Sequence, residues 1–238
     1  MRTALITGGS RGIGAAMVRA FTAAGYRVVF LYQKSKEAAE ALAHETGAQA
    51  LCCDITHAQQ VCSSCAEALR GLSHIDVLVN NAGIAQQKLF CDLSDEDWKK
   101  MLDTNLSGAF YSIRAVLPSM ISRKQGRIVN ISSVWGQVGA SCEVHYSAAK
   151  AGLIGLSKAL AKEVAPSGIT VNCVCPGVIE TDMLADFDEA ALAQMREETP
   201  LGRLGTAEEV AACVLWLCGA GADFVTGQVI GVNGGFGE

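Results

Sequence analysis

Thr3-Ala4-Leu5-Ile6-Thr7-Gly8-Gly9-Ser10-Arg11-Gly12-Ile13-Gly14 decides the fold. A short apolar run enters a glycine-rich turn and leaves into a helix-like pattern, Ile13 to Ala24. Strand, glycine turn and helix in that order form the context of a dinucleotide site. Gly8 and Gly12 permit a tight turn and close approach of the main chain to a pyrophosphate. Gly14 lets the helix pack against the strand. The helix start, with Ser10, Arg11 and Ile13 in the same turn, offers N–H groups and a positive dipole end to phosphates. The spacing is Gly-x-x-x-Gly-x-Gly rather than Gly-x-Gly-x-x-Gly, and a ligand-free strand–helix turn would share it.

Outward from this loop, short apolar strands alternate with longer helical stretches. The strands expected are Thr3–Thr7, Arg27–Tyr32, Gln49–Cys53, Val77–Asn80, Arg127–Ile131, Thr170–Cys175 and Val229–Val232. The helices expected are Ile13–Ala24, Lys36–Glu45, Gln59–Leu69, Asp95–Met120, Tyr146–Ala165 and Ala207–Leu217. The alternation predicts an α/β fold: a Rossmann-type doubly wound parallel sheet of seven strands with helices on both faces. Ligands then belong at the carboxyl ends of the strands, near the switch in strand order. Ser94 with Asp97 forms a capping-box pattern, and Pro166 with Gly168 ends the longest helix. The segment Glu180 to Gly205 is more charged than its surroundings and carries a short helical pattern, Glu189–Arg196.

A length of 238 residues suits one domain, 1–238. Apolar content of 50% with 18% charged residues indicates a compact globular chain. A net charge of −5 and a pI near 5.4 argue against nucleic acid as a general partner. No apolar run approaches membrane-spanning length. The first strand begins at residue 3, leaving no room for a leader, so the cytoplasm is the expected compartment. Ten cysteines then read as reduced, mostly packing residues. Cys62 and Cys65 have redox-motif spacing but lie inside a helical stretch; no second pair completes a metal site, and no metal is expected. Cys173 and Cys175 share one face of a strand. Cys142 lies four residues before Tyr146 with no activating base nearby in sequence.

Tyr146-Ser-Ala-Ala-Lys150 carries the second chemical signal. On a helix this spacing puts both side chains on one face. A free phenol has a pKa of about 10, and a nearby ammonium favours the phenolate. A phenol tuned in this way can exchange a proton with a carbonyl or alcohol oxygen. Ser133 and Asn105 stand upstream.

With these motifs in order, the chain resembles the short-chain dehydrogenase/reductases. The glycine loop, Asn80-Asn81-Ala82-Gly83, Pro176-Gly177 and Val232-Asn233-Gly234-Gly235 match, and Asn105, Ser133, Tyr146 and Lys150 match the catalytic tetrad. The resemblance implies that Tyr146 is the general acid in reduction. It implies that Lys150 holds the nicotinamide ribose and lowers the phenol pKa, that Ser133 bonds the substrate oxygen, and that Asn105 holds a relay water. Asp54 and Ile55 would meet the adenine, and Asn81, Ala82 and Gly83 its ribose. Pro176, Gly177, Ile179 and Thr181 would line the nicotinamide end, and residues 180–205 would cover the substrate. NAD enzymes place an acid at the end of the second strand. Here Leu31-Tyr32-Gln33-Lys34 holds none. Gln33, Lys34 and Arg11 therefore point to NADP(H), with both cations available to a 2′-phosphate. A homotetramer is also implied.

Within the family the chain resembles 3-oxoacyl-acyl-carrier-protein reductases, through Ile154 to Glu163 and Gly168-Ile-Thr-Val-Asn172. Arg123, Lys124 and Arg127 would then meet an acidic acyl carrier protein, although Ser167 stands where a basic residue is common. Trp135 to Tyr146 instead resembles reductases of the 5-aminopentanone modification on elongation factor P. Glu143 is the departure there: its carboxylate would reach the pocket mouth as a substrate contact, or face solvent. A hydroxysteroid or sugar-alcohol dehydrogenase and a non-catalytic NADP-binding regulator complete the alternatives.

Overall fold

The computed structural model describes residues 1–185 and 187–237. Asp186, in the segment expected to cover the substrate, and Glu238, at the end of the expected domain, lie outside the described residues. The chain runs β1 (Thr3–Thr7), α1 (Gly12–Ala23), β2 (Arg27–Tyr32), α2 (Lys36–Thr46), β3 (Gln49–Cys52), α3 (Ala58–Leu72) and β4 (Val77–Asn80). It continues through α4 (Asp95–Leu102), α5 (Gly108–Arg123), β5 (Gly126–Ile131), α6 (Trp135–Val138), α7 (Val144–Val164), β6 (Ile169–Pro176), α8 (Glu189–Glu198), α9 (Ala207–Leu217) and β7 (Val229–Val232).

The seven strands form one parallel sheet in the order β3-β2-β1-β4-β5-β6-β7. Successive strand residues face opposite sides. Ala4 and Ile6 join Met17, Phe21, Val210 and Val214 on the side of α1 and α9. Leu5 joins Val61, Ile113, Val116 and Met120 on the side of α3 and α5. Burial on both faces explains why the strands read as continuous apolar runs. The chain leaves β1 toward β2 and later returns to β4 on the other side of β1. That reversal opens a crevice at the carboxyl ends of β1 and β4.

The expected helix Asp95–Met120 is interrupted. Between α4 and α5 the residues Asp103–Ser107 form a π-helical turn with Asn105 buried at its centre. One residue too many per turn pushes a side chain out of the helical ladder, and such turns gather at functional sites. The Asn105 amide donates to the carbonyls of Met101 (3.1 Å) and Ile84 (3.0 Å). α6 was not expected from the sequence. Ser94 and Asp97 do form the capping box of α4, and Thr206 with Glu209 forms a second at α9, each typically contributing about 1 kcal/mol. No helix among the described residues is long and apolar enough to cross a membrane.

Candidate active site

At the end of β1 the glycine loop is shaped by exclusion. A Cβ at Gly14 would lie 2.0 Å from the Gly8 carbonyl oxygen, and one at Gly8 would lie 2.7 Å from the Ala82 Cα. The Asn81 amide donates to the carbonyls of Thr7 (3.1 Å) and Gly8 (3.0 Å), so its carboxamide fastens the loop to the end of β4. Arg11 occupies the N-cap of α1 without a side-chain cap, and the first turn holds no acid. Its amides and its positive end therefore remain available to an anion, and the cradle fits a pyrophosphate.

The end of β2 carries Tyr32, Gln33 and Lys34, the last two exposed, and no carboxylate. Arg11 is not a free cation here: its guanidinium lies 3.7 Å from the Asp182 carboxylate, both largely exposed. Burial pushes the Asp54 carboxyl up, but two hydrogen bonds from Thr56 and the nearby His57 hold it below its ordinary value. Ile55 is buried against Gly108 at the start of α5.

The tetrad residues converge from three places: the π turn, the end of β5 and α7. The main-chain N–H of Ile84 donates to Asn105 Oδ1 at 3.2 Å, and a Cβ on Gly83 would lie 2.6 Å from that oxygen and 3.4 Å from Lys150 Nζ. Ser133 follows β5 and is buried, its Oγ accepting from the Trp135 N–H at 3.1 Å. Lys150 is 4% exposed; its Nζ donates to the Ile131 carbonyl at 2.9 Å and lies 5.6 Å from the centre of the Tyr146 ring. Burial drives the Lys150 ammonium down to about 8. Burial also pushes the Tyr146 phenol up to about 12, with the Ser133 hydroxyl pulling in the opposite direction and Glu143 adding to the rise. The expected lowering of the phenol by Lys150 is thus not met in this structure. Desolvation is the largest influence on the phenol, and the ammonium, over the face of the ring, spends its hydrogen bond on the Ile131 carbonyl.

Pro176 and Gly177 close β6 against the last strand. The Gly177 N–H donates to the Val232 carbonyl at 3.0 Å, and a Cβ at Gly177 would meet Asn233 Cα at 2.8 Å. Ile179 pairs with Gly205, and Thr181 approaches Gly12 across the glycine loop. A cavity of about 190 Å³ lies behind this turn, lined by Val178, Ile179, Thr199, Leu201 and Asn233 among others. Glu143 is partly buried at the N-cap of α7, and its carboxylate accepts from Gln87 Nε2 at 3.4 Å.

Arg123, Lys124 and Arg127 lie at the amino end of the sheet, the edge opposite Tyr146. Arg123 is paired with Asp76 (2.7 Å) and Arg127 with Asp223 (2.6 Å). They form no free basic patch beside this site. Cys62 is exposed and Cys65 buried on α3, and among the described residues no group of three or more His, Cys, Asp or Glu is placed to hold a metal ion.

Sequence reading passed over the polar groups beneath the site. Asn80 Nδ2 donates to Asn130 Oδ1 (2.8 Å), Asn130 Nδ2 to Ser157 Oγ (2.8 Å), and Ser157 Oγ to the Leu153 carbonyl (2.7 Å). An Asn inside the apolar strand Arg127-Ile-Val-Asn-Ile131 was the available signal, since a buried amide requires partners.

A family model described as enoyl-(acyl carrier protein) reductase matches residues 8–237. The acetoacetyl-CoA reductase of Rhizobium meliloti (strain 1021) is 46% identical over 235 residues, covering 98% of each chain. The acetoacetyl-CoA reductase of Shinella zoogloeoides is 44% identical over the same shares. The 3-oxoacyl-acyl-carrier-protein reductase of Escherichia coli (strain K12) is 41% identical over 236 residues, 98% of this chain and 96% of that protein. Matches of this extent, together with the parallel sheet and the loop at its switch point, make the chain an oxidoreductase that belongs to the short-chain dehydrogenase/reductase family.

Proposed function

We propose that this protein reduces the ketone of a 3-oxoacyl thioester to a secondary alcohol, with NADPH as its nicotinamide cofactor. The observation that carries the reading is the meeting of Tyr146, Ser133 and Lys150 beside a glycine loop with an uncapped helix start. The names of the relatives support the thioester: they include reductases of acetoacetyl-CoA and of 3-oxoacyl groups on a carrier protein.

When bound, the reduced cofactor supplies the hydride, and every other requirement falls to the chain. Gly8, Ser10, Arg11, Gly12, Ile13 and Gly14 would hold the phosphates. Gln33 and Lys34 would face the 2′ position. Asp54, Ile55, Asn81, Ala82 and Gly83 would hold the adenosine, and Pro176, Gly177, Ile179 and Thr181 the nicotinamide end. Ser133 donates a hydrogen bond to the ketone oxygen and orients it. Tyr146 delivers its proton to that oxygen as charge develops there. A phenol held at about 12 is a weak acid in isolation, so its proton leaves only toward an oxygen that is becoming strongly basic. Lys150 stabilises the phenolate left behind, and Asn105 keeps the approach to Lys150 open to water. Residues 180–205 form the cover over the substrate, within a single domain spanning 1–238.

The test is NADPH consumption with acetoacetyl-CoA, a 3-oxoacyl carrier protein, an aminoketone and a steroid ketone. Thioesters are expected to lead. Failure of both thioesters beside turnover of another ketone would replace the substrate assignment. One observation favours a second reading, a cationic aminoketone such as that on elongation factor P: Glu143 is partly buried next to Tyr146, and its carboxylate is met by a neutral amide. We also propose a homotetramer. Trp98 on α4 and Phe110 and Ile121 on α5 expose apolar surface that association would cover; a monomeric mass in light scattering at micromolar concentration removes this assembly.

A further inference from the structure

The loop after β4 is fastened to its surroundings at four places, and each fastening leads toward the site. The main chain of Ile84 is clamped from both sides by the Asn105 carboxamide. Gln86 Nε2 donates to Asp97 Oδ1 at 3.1 Å, and Gln86 Oε1 lies 3.0 Å from His145 Nε2. Gln87 reaches Glu143. The Lys88 N–H donates to the Cys142 carbonyl at 2.8 Å, and its ammonium pairs with Asp97 Oδ2 at 2.7 Å. Asp97 also closes the capping box with Ser94. One carboxylate therefore holds the start of α4 and, through the loop, the start of α7.

The hydrogen-bond inventory fixes the imidazole. An ionised Asp97 only accepts, so the nitrogen end of Gln86 faces it and the oxygen end faces His145. His145 Nε2 therefore carries the proton, and Nδ1 presents a bare lone pair. His145 is 0% exposed, and its Nδ1 has no hydrogen-bond partner among the described residues. Leaving a buried nitrogen unmatched opposes folding, and an apolar side chain of similar size would avoid that cost. A residue that disfavours stability, directly before Tyr146 on α7, calls for another role.

We propose that Gln86 and His145 are positioning residues for Tyr146: Asp97 holds Gln86, Gln86 holds the imidazole as its Nε2–H form, and the imidazole fixes the first turn of α7 and so the place of the phenol beside Ser133. The proposal rests on Tyr146 being the proton donor. Gln86→Met and His145→Leu, singly and together, test it in the full-length enzyme. The substrate is whichever ketone the wild type turns over fastest, and Tyr146→Phe runs alongside.

Each single variant is expected to lose about tenfold in kcat through misplacement of the phenol, with the KM for NADPH changed by less than about twofold. The double variant is expected to match the worse single variant within about twofold, since both act along one path. His145→Leu is expected to melt no lower than wild type. His145→Gln, which keeps an N–H for Gln86, is expected to recover most of the lost rate and serves if His145→Leu does not fold. Full kcat in Gln86→Met, losses that multiply in the double variant, or losses that only follow a falling Tm overturn the proposal. Near-normal turnover in Tyr146→Phe overturns the proton-donor reading and this proposal with it; a collapsed Tyr146→Phe beside an unaffected Gln86→Met overturns this proposal alone.

Discussion

Asp76, just before β4, and Lys150, beside the end of β5, are buried charges at opposite ends of one sheet, and their surroundings differ in kind. Asp76 is 7% exposed and accepts from the Thr3 N–H (2.9 Å) and Oγ (3.2 Å), while His74 and Arg123 lie at 3.2 and 2.7 Å. Burial pushes its carboxyl up, but Arg123, Thr3 and His74 outweigh burial and hold it below its ordinary value. Lys150 is as deeply buried, yet the hydrogen-bond acceptor its Nζ meets is one neutral carbonyl, and burial wins. Arg127 Nε, without a partner among the described residues, is the exception at the amino end. Charges at one end are matched and support the fold. At the other end Lys150 is undermatched, and its pKa is displaced toward neutrality.

The sharpest break of this comparison removes groups from the carboxyl end. Tyr146→Phe should lower kcat by about 10²–10⁴ while leaving NADPH binding and the melting curve near wild type; a retained rate would take the phenol out of the mechanism. Lys150→Met should also abolish turnover, but it should melt higher than wild type at pH 7. The sign follows from linkage. The Lys150 pKa is lowered on folding from 10.5 to about 8, so the unfolded chain binds that proton more tightly and the residue costs stability below about 8. The cost fades as pH rises from 8 to 10.5, and the gap between the two melting temperatures should close over that range. A gap independent of pH would mean that Lys150 is better satisfied than its single carbonyl suggests.

At the amino end the outcome should be reversed. Asp76→Asn should lose about 2 kcal/mol of stability, less than a fully buried pair because the Arg123 guanidinium reaches solvent. Its kcat should not change. The Asp76 pKa is depressed on folding, so its stabilisation is fully present above the unfolded value of 3.8 and is lost as pH falls from there through the folded value. Denaturant titrations at pH 7 and in acid should therefore converge for wild type and Asp76→Asn. A drop in kcat would show that the two ends are coupled through the sheet.

The contrast also marks what the sequence could disclose. β1, β2 and β4 were legible to the residue because parallel strands buried on both faces are short apolar runs bounded by polar ones, and the edge strand β7 was legible from its apolar run alone. The capping box at Ser94 and the stop at Gly168 were legible because caps are local. The π turn at Asp103–Ser107 was not, since one extra residue per turn leaves no periodic mark in a five-residue stretch. Nothing in the sequence singles out Gln86, Gln87 and Lys88, because Cys142, Glu143 and His145, which they meet, lie far along the chain, and Asp97 is already marked by its capping box. Tyr146 and Lys150 were found by their spacing, but the direction of the phenol shift depends on burial, which spacing does not carry.

Cofactor choice sharpens the comparison at the carboxyl end, where cations are exposed and adjustable. Lys34 and Arg11 with no acid at Tyr32 or Gln33 favour a 2′-phosphate, and charge-assisted hydrogen bonds to phosphate are the strong ones. Lys34→Glu with Arg11→Ala should reduce the NADPH-over-NADH ratio of kcat/KM by about tenfold or more. Arg11 shares its charge with Asp182, so Lys34→Glu alone should carry the larger part. A wild-type enzyme with higher kcat/KM for NADH would reverse the assignment.

The smallest effect belongs to Glu143, and it separates the two substrate readings. Burial raises its carboxyl above the ordinary value while the Gln87 amide pulls the other way, and its charge helps to hold the Tyr146 phenol up. Glu143→Gln removes that charge and keeps the shape. The phenol becomes a stronger acid, so a neutral 3-oxoacyl thioester should be reduced at an unchanged or higher rate. An aminoketone would lose the carboxylate that faces its ammonium, and its kcat/KM should fall by about two- to fivefold, the range of a partly exposed ion pair. Opposite movements for the two substrates place the Glu143 carboxylate at the pocket mouth. Parallel movements would mean that it acts on the phenol alone, and the thioester reading would then stand without a rival.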